Sequence, residues 1–146
     1  MTEKAVIFDL DGTLSDRRHR LHYLEGKKDW KSFFEQMYLD PPVKEIFKKL
    51  FRHYHNNHKI IILTGRPEEY RDTTINWLKE NNVETYMYEM FMRESKNYES
   101  DITLKRRIFE TKLNRYSVIK AYEDNADLIK LWNEKDIEVE DCSLDS

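Results

Sequence analysis

The apolar positions of this chain follow two rhythms. Ala5-Val6-Ile7-Phe8 is an unbroken apolar run ending at Asp9, and Ile60-Ile61-Ile62-Leu63 is a second, ending at Thr64-Gly65-Arg66. Short runs without polar alternation predict strands buried on both faces. Elsewhere the spacing is helical. Trp30, Phe33, Phe34 and Met37 predict a helix over 29–38, stopped before Pro41-Pro42. Ile46, Phe47, Leu50 and Phe51 predict another over 43–54, stopped at Asn56-Asn57. Pro67 is placed to open a helix running to about residue 80, with Ile75 and Leu78 inward. Further on, a weaker strand is expected at 85–92. Asp101 reads as the cap of a helix over 102–113. A strand at 116–122, a helix at 126–134 and a last short strand at 137–139 follow, and the acidic tail beyond is expected to be loose.

Strands alternating with helices predict an α/β fold: a Rossmann-like parallel sheet flanked by helices, with a short helical insert after the first strand. The expected organisation is a single domain over 1–146 with the insert at about 16–57. In such sheets ligands bind beyond the C-terminal strand ends. Asp9-Leu10-Asp11, Thr64-Gly65-Arg66 and Glu123-Asp124 all fall at predicted ends of this kind.

Composition narrows the options. With 39% hydrophobic and 36% charged residues the chain can build a core under a well-solvated surface. A net charge of −3 is unlike that of a general, sequence-blind DNA binder, although a local basic patch stays open. The one cysteine, Cys142, has no partner for an internal disulfide and reads as a free thiol. No apolar run reaches membrane-spanning length, and Met1-Thr2-Glu3-Lys4 lacks the apolar core of a signal peptide. A cytoplasmic location and no membrane partner are the expectation.

The acids Asp9 and Asp11 suit phosphate transfer. One carboxylate attacks phosphorus, and the other moves the proton of the leaving oxygen and then of water. A dianionic phosphate repels an attacking carboxylate, and Mg2+ held by hard oxygen ligands relieves that repulsion. Gly12 and Thr13 are expected to offer backbone N–H groups to phosphate oxygens. In isolation, two acids at this spacing are better explained as solvated loop residues; the buried strand before them and the Gly-Thr after them favour the catalytic reading.

Phe8-Asp9-Leu10-Asp11-Gly12-Thr13-Leu14 resembles the first signature of the haloacid dehalogenase superfamily of phosphatases. Thr64, Lys105 and Glu123-Asp124 resemble the second, third and fourth, in order, so the resemblance spans nearly the whole chain. It implies Asp9 as nucleophile, Asp11 as general acid/base, Thr64 as a phosphoryl-holding hydroxyl and Lys105 as the cation that stabilises the intermediate. It implies Mg2+ bound by Asp9, the Asp11 backbone carbonyl and Asp124. Glu123 stands where the family often has aspartate, and is expected as a supporting or water-mediated ligand. Asp127 reads as a first-turn helix acid. Asp101 is placed either to cap its helix or to orient Lys105 one turn on.

A narrower resemblance rests on Thr64-Gly65-Arg66-Pro67, Arg71, Trp77-Leu78, Met92-Arg93, Asp101, Lys105 and Leu131-Trp132. Together these are similar to the phosphatase domain of polynucleotide kinase-phosphatases and its stand-alone relatives, which remove 3'-phosphates from nucleic-acid ends. Relatives often carry Arg-Pro where Glu99-Ser100 stand here. No phosphate-binding loop of the G-x-x-x-x-G-K-[ST] kind occurs. With Gly65 beside them, Arg66 and Arg93 become candidates for phosphate or backbone contacts, with a salt bridge to a nearby acid as the alternative. Arg17-Arg18-His19-Arg20-Leu21-His22 reads either as a cleft-mouth attractor or as a solvated charged face. Trp30, Phe33, Phe34 and Tyr38 read as core packing ahead of base stacking.

The expected function is that of a Mg2+-dependent phosphomonoesterase acting on a phosphorylated nucleic-acid end or a nucleotide. A repair kinase or ligase is a possible partner. A small-metabolite phosphatase and a non-catalytic binding module are the rivals.

Overall fold

The structure, a computed structural model, describes residues 2–144. Five parallel strands form one sheet: β1 (Lys4–Phe8), β2 (Lys59–Pro67), β3 (Met87–Arg93), β4 (Ser117–Glu123) and β5 (Glu138–Asp141). Their spatial order is β3-β2-β1-β4-β5. The chain runs outward from β1 through β2 to β3, then returns to place β4 on the other side of β1. That reversal opens a crevice between the C-terminal ends of β1 and β4, where doubly wound sheets bind ligands.

The apolar runs do what their lack of alternation predicts, because both faces of the sheet are covered. Val6, Phe8, Ile60 and Ile62 pack with Leu50 of α2 (Lys44–His55) and with Trp77 and Leu78 of α3 (Arg71–Glu80). Ala5, Ile7, Ile61 and Leu63 pack on the opposite face. Their partners there are Leu104 and Ile108 of α4 (Asp101–Lys112), and Leu128, Leu131 and Trp132 of α5 (Ala126–Glu134). Each fully buried aliphatic side chain contributes roughly 1.5–3 kcal/mol to this sandwich.

Several local expectations are corrected. Pro67 is the last residue of β2, and a 3-10 turn (Glu68–Tyr70) precedes α3. The N-cap of α4 is Ser100, whose hydroxyl accepts from the Thr103 amide at 3.2 Å, which frees Asp101 for another partner. The helix expected over 29–38 is split into α1 (Trp30–Glu35) and a 3-10 turn (Met37–Leu39). The charged run after β1 is also a 3-10 segment (Arg18–Leu24). The tail expected to be loose is in part structural. Glu140 and Asp141 belong to β5, and the Cys142 amide bonds the Glu123 carbonyl at 2.8 Å. Residues 145–146, and Met1 with the leader reading that included it, lie outside the described residues.

Candidate active site

Burial fixes the first acid. Asp9 follows β1 directly and is 7% exposed, with its amide bonded to the Tyr122 carbonyl at 3.1 Å. β4 delivers Glu123 and Asp124 beside it. Single carboxylate oxygens of Asp9, Glu123 and Asp124 all lie within 4.8 Å of one another. Lys105, from the second turn of α4, reaches into the group. Its Nζ donates to Asp9 Oδ1 at 2.9 Å and to Glu123 Oε1 at 3.1 Å. Arg17 Nη2 donates to Asp124 Oδ2 at 2.9 Å.

Two cations therefore face three carboxylates in a largely buried pocket, and the shortfall of positive charge disfavours ionisation of the acids. Burial, reinforced by the Glu123 carboxylate, pushes Asp9 up to about 7 despite Lys105. Burial and the Asp9 carboxylate push Asp124 up to about 7 as well. Burial opposes the charge of Lys105, but Asp9 and Glu123 more than offset it and hold the ammonium above its ordinary range. Converging hard oxygen donors with unmet negative charge fit a Mg2+ ion.

Asp11 lives in a different environment, although only Leu10 separates it from Asp9. The Arg66 guanidinium grips it, with Nε to Oδ2 at 3.1 Å and Nη2 to Oδ1 at 2.8 Å. Arg20 Nη2 donates to the same Oδ1. Arg20 is itself fully buried and pairs with Asp40, with Nε to Oδ1 at 2.8 Å and Nη2 to Oδ2 at 2.6 Å. Burial works to raise Asp11, but Arg66 and Arg20 prevail and hold it well below the usual carboxylate range. The network is anchored on the far side. Arg66 Nη1 donates to Thr74 Oγ1 at 3.0 Å, and Trp77 Nε1 donates to the Asp40 carbonyl at 2.8 Å.

Of the residues singled out in the sequence, Asp9, Lys105, Glu123 and Asp124 are brought into one cluster. Thr64 is fully buried, and its Oγ1 accepts the Arg66 amide at 3.1 Å, which leaves its O–H proton available. The amides of Gly12 and Thr13 are committed inside the loop, to the Ser15 carbonyl at 2.8 Å and the Leu10 carbonyl at 3.0 Å. The loop closes on itself in a tight turn, so these N–H groups do not project toward a phosphate as expected. What the loop presents instead is the buried Thr13 hydroxyl, without a hydrogen-bond partner among the described residues. Gly12 has φ +85°, and a Cβ there would overlap the Asp124 carboxylate. Gly65 is constrained too, since a Cβ would lie 2.6 Å from Asp101 Oδ1.

Arg93 is a strut. It donates to the Gly65 carbonyl at 2.9 Å, to the Glu99 carbonyl at 2.5 Å and to Asp101 Oδ1 at 2.5 Å. Asp101 is thus engaged with Arg93 and neither caps α4 nor bonds Lys105. Asp127 is exposed in the first turn of α5, apart from the acid cluster. Phe33 is buried as core, whereas Trp30 and Tyr38 are 49% and 56% exposed, so the packing expectation holds for only part of that set.

Sequence reasoning missed Asp40 and Thr74, and it placed Arg17 and Arg20 in a charged run without finding their partners, Asp124 for the one and Asp11 and Asp40 for the other. Arg20 carried no local signal that set it apart from the cations beside it.

The family described as polynucleotide kinase PNKP phosphatase domain matches residues 3–144. Two solved structures are similar over almost the whole chain. One, of a Pnkp1/Rnl/Hen1 complex, has TM-score 0.83 and 24% identity and covers 99% of this chain and 47% of that one. The other, of the Pnkp1/Rnl/Hen1 RNA repair complex, has TM-score 0.81 and 25% identity and covers 96% and 42%. This chain thus spans less than half the length of either. A class C acid phosphatase from Bacillus anthracis with tungstate bound shares the fold, with TM-score 0.66, 14% identity and coverage of 93% and 62%. No curated protein matches the sequence. No helix among the described residues is long and apolar enough to cross a membrane. A doubly wound parallel sheet, the ordered motifs along it and a family match over nearly every residue lead to one assignment: the chain belongs to the polynucleotide kinase PNKP phosphatase domain family, within the haloacid dehalogenase-like phosphatases.

Proposed function

We propose that this chain is a Mg2+-dependent phosphomonoesterase that removes a 3'-phosphate from a nucleic-acid end through an aspartyl-phosphate on Asp9. The observation that carries the reading is the Asp9 carboxylate, buried, bonded to Lys105 and set among the oxygens of Glu123 and Asp124. Asp9 and Asp124, with the Asp11 backbone carbonyl, would hold the cation, and Glu123 would support them. When bound, Mg2+ supplies positive charge that lets a carboxylate approach a dianionic phosphate.

An Asp9 carboxylate oxygen bonds to phosphorus as the bond from phosphorus to the leaving oxygen breaks. Lys105 and the Thr64 hydroxyl balance charge on the equatorial oxygens. Asp11 gives its proton to the leaving oxygen, then takes one from the water that cleaves the acyl phosphate and releases inorganic phosphate. Asp11 is ionised while two guanidiniums hold it, so it is ready for the second step. For the first, the incoming dianion draws Arg66 toward itself, and the loosened carboxylate takes up a proton from solvent water. Arg66 thereby serves both the substrate and the acid. Arg93 acts behind them by fixing Gly65 and Asp101.

We read 1–146 as one catalytic domain working beside a repair ligase or kinase subunit, as the neighbours seen in the RNA repair complex suggest. The direct test is phosphate release, with and without Mg2+, from a 3'-phosphorylated oligonucleotide and from nucleoside 3'- and 5'-monophosphates. Faster release from the oligonucleotide supports end repair. Faster release from the monophosphates moves the assignment to a nucleotidase, and Mg2+-independent release removes the metal role.

A further inference from the structure

Three aromatic rings form a row beside the Asp11 network. Trp30, the first residue of α1, stacks with Phe34 (centroids 5.9 Å apart, planes at 25°), and Phe34 meets Tyr70 at 5.0 Å and 34°. Tyr70 lies in the turn that follows β2, so the row stands at the same end of the sheet as Asp9. The inner face of α1 ties it there. Phe33 lies under the Arg20 guanidinium, 4.3 Å from ring centroid to Cζ, and Arg20 in turn binds Asp11.

Stacked rings on a short helix are usually core, and Phe33 is. Trp30 is not, with half its surface in solvent. Exposed lysines flank it in sequence at 27, 28 and 31, and Lys28 Nζ lies 5.8 Å from its ring centroid. Of the nearby acids, Asp29 accepts the Ser32 amide at 3.1 Å and Glu68 pairs with Arg71 at 2.8 Å, whereas Glu35 faces Lys31 at 3.9 Å and stands with Glu69 by Tyr70, so the cationic side of the row is the Trp30 end, beside Lys27 and Lys28. Open ring surface beside cations is what single-stranded nucleic acid recognises, bases on the rings and phosphates on the ammoniums. A duplex keeps its base faces covered by its own stacking and gains little from such a surface.

We propose that Trp30, braced by Phe34 and Tyr70 and flanked by Lys27 and Lys28, forms a stacking platform for a base of a single strand whose 3'-phosphate is seated at Asp9. This rests on the 3'-phosphatase reading and adds to it a preference for single-stranded ends. The platform is tested by fluorescence anisotropy on the full chain carrying D9N, with a labelled single-stranded oligonucleotide ending in a 3'-phosphate. Adding W30A is expected to raise Kd about tenfold, the loss of one stacked base. W30F, which keeps a ring, restores most of the affinity. K28A flattens the salt dependence by about 0.7 in log–log slope.

In the active enzyme, W30A lowers kcat/KM for the oligonucleotide about tenfold relative to a nucleoside 3'-monophosphate. Equal loss on both substrates, or equal weakening for single strand and duplex, overturns the platform. The two proposals also fail separately. If the unmutated chain hydrolyses no 3'-phosphate while W30A still weakens binding, the reaction assignment falls and the platform stands. If hydrolysis persists and W30A leaves binding unchanged, the platform falls and the reaction stands.

Discussion

Asp9 and Asp11 are two residues apart and electrostatically opposite. Around Asp9, three carboxylates meet Lys105 and Arg17 and remain short of positive charge. Around Asp11, the side chains of Arg20, Arg66 and Asp40 close a balanced network. The first pocket carries more negative than positive charge, whereas in the second the carboxylates of Asp11 and Asp40 are matched by the guanidiniums of Arg20 and Arg66. Two identical side chains are given different work by what surrounds them, in the same way that paired catalytic acids elsewhere are driven apart in pKa.

The comparison breaks most completely at Asp9. Asp9→Asn keeps the volume and removes the proposed nucleophile, so turnover is expected to fall by at least about a thousandfold with the circular dichroism spectrum preserved. Full phosphate release by that variant would exclude an intermediate on Asp9. Next in size is Arg20→Ala, which leaves Asp40 buried and deprived of its two hydrogen bonds from Arg20. A loss of about 3–5 kcal/mol in urea unfolding is expected, with a fall in kcat from the mispositioned Asp11.

A third test separates the two acids by pH. Asp9 and Asp124 have folded values of about 7 against an ordinary 3.8. Their protonated forms are favoured in the fold, so the stability they contribute is present below the ordinary value and is lost as pH rises through about 7. Asp11 is shifted the other way, contributes above its ordinary value, and is silent between pH 5 and 8. Without cation, Tm should fall across that window. Saturating Mg2+ should restore it by a few degrees, more at pH 8 than at pH 5. Asp124→Asn should remove most of the Mg2+ response, and an undiminished response would exclude Asp124 as a ligand. The smallest effect is expected at Arg93→Ala, which loosens Gly65 and Asp101 from outside both pockets. It should cost roughly 1–2 kcal/mol and lower kcat/KM a few-fold.

The charge-deficient pocket was readable from the sequence and the balanced one was not, for a physical reason. β1 and the first half of β2 announce themselves as apolar runs, and β4 by its place between two helical stretches; Asp9 follows β1, Thr64 follows the run within β2 and Glu123-Asp124 stand at the end of β4, so all could be placed by local pattern. Lys105 is identified through the family resemblance, because beside Arg106 and Arg107 its local pattern is that of a solvated charge run. Arg20 pairs with an acid 20 residues on, across a helix and a turn. A charged run such as 17–22 has the same local appearance whether one of its members is buried or all are solvated. The N-cap of α4 was misplaced by one residue because Ser100 and Asp101 are both good caps, and local pattern does not show that the Ser100 hydroxyl takes the Thr103 amide while Asp101 turns to Arg93 of β3. The end of β2 was misjudged because a proline signals a helix start and a strand end equally well.

The burial of Arg20 bears on how modular this scaffold is. Inserts after the first strand are the natural place to graft new specificity onto a sheet of this kind, since they cover the cleft without belonging to the sheet. Here the segment carries the counter-ion of the acid it covers. A transplanted insert lacking the equivalents of Arg20 and Asp40 would change the protonation of Asp11 along with the shape of the cleft. On the mechanism proposed above, an exchange of this segment therefore alters the proton-transferring acid as well as the cleft, and has to be designed with Arg20 and Asp40 kept together.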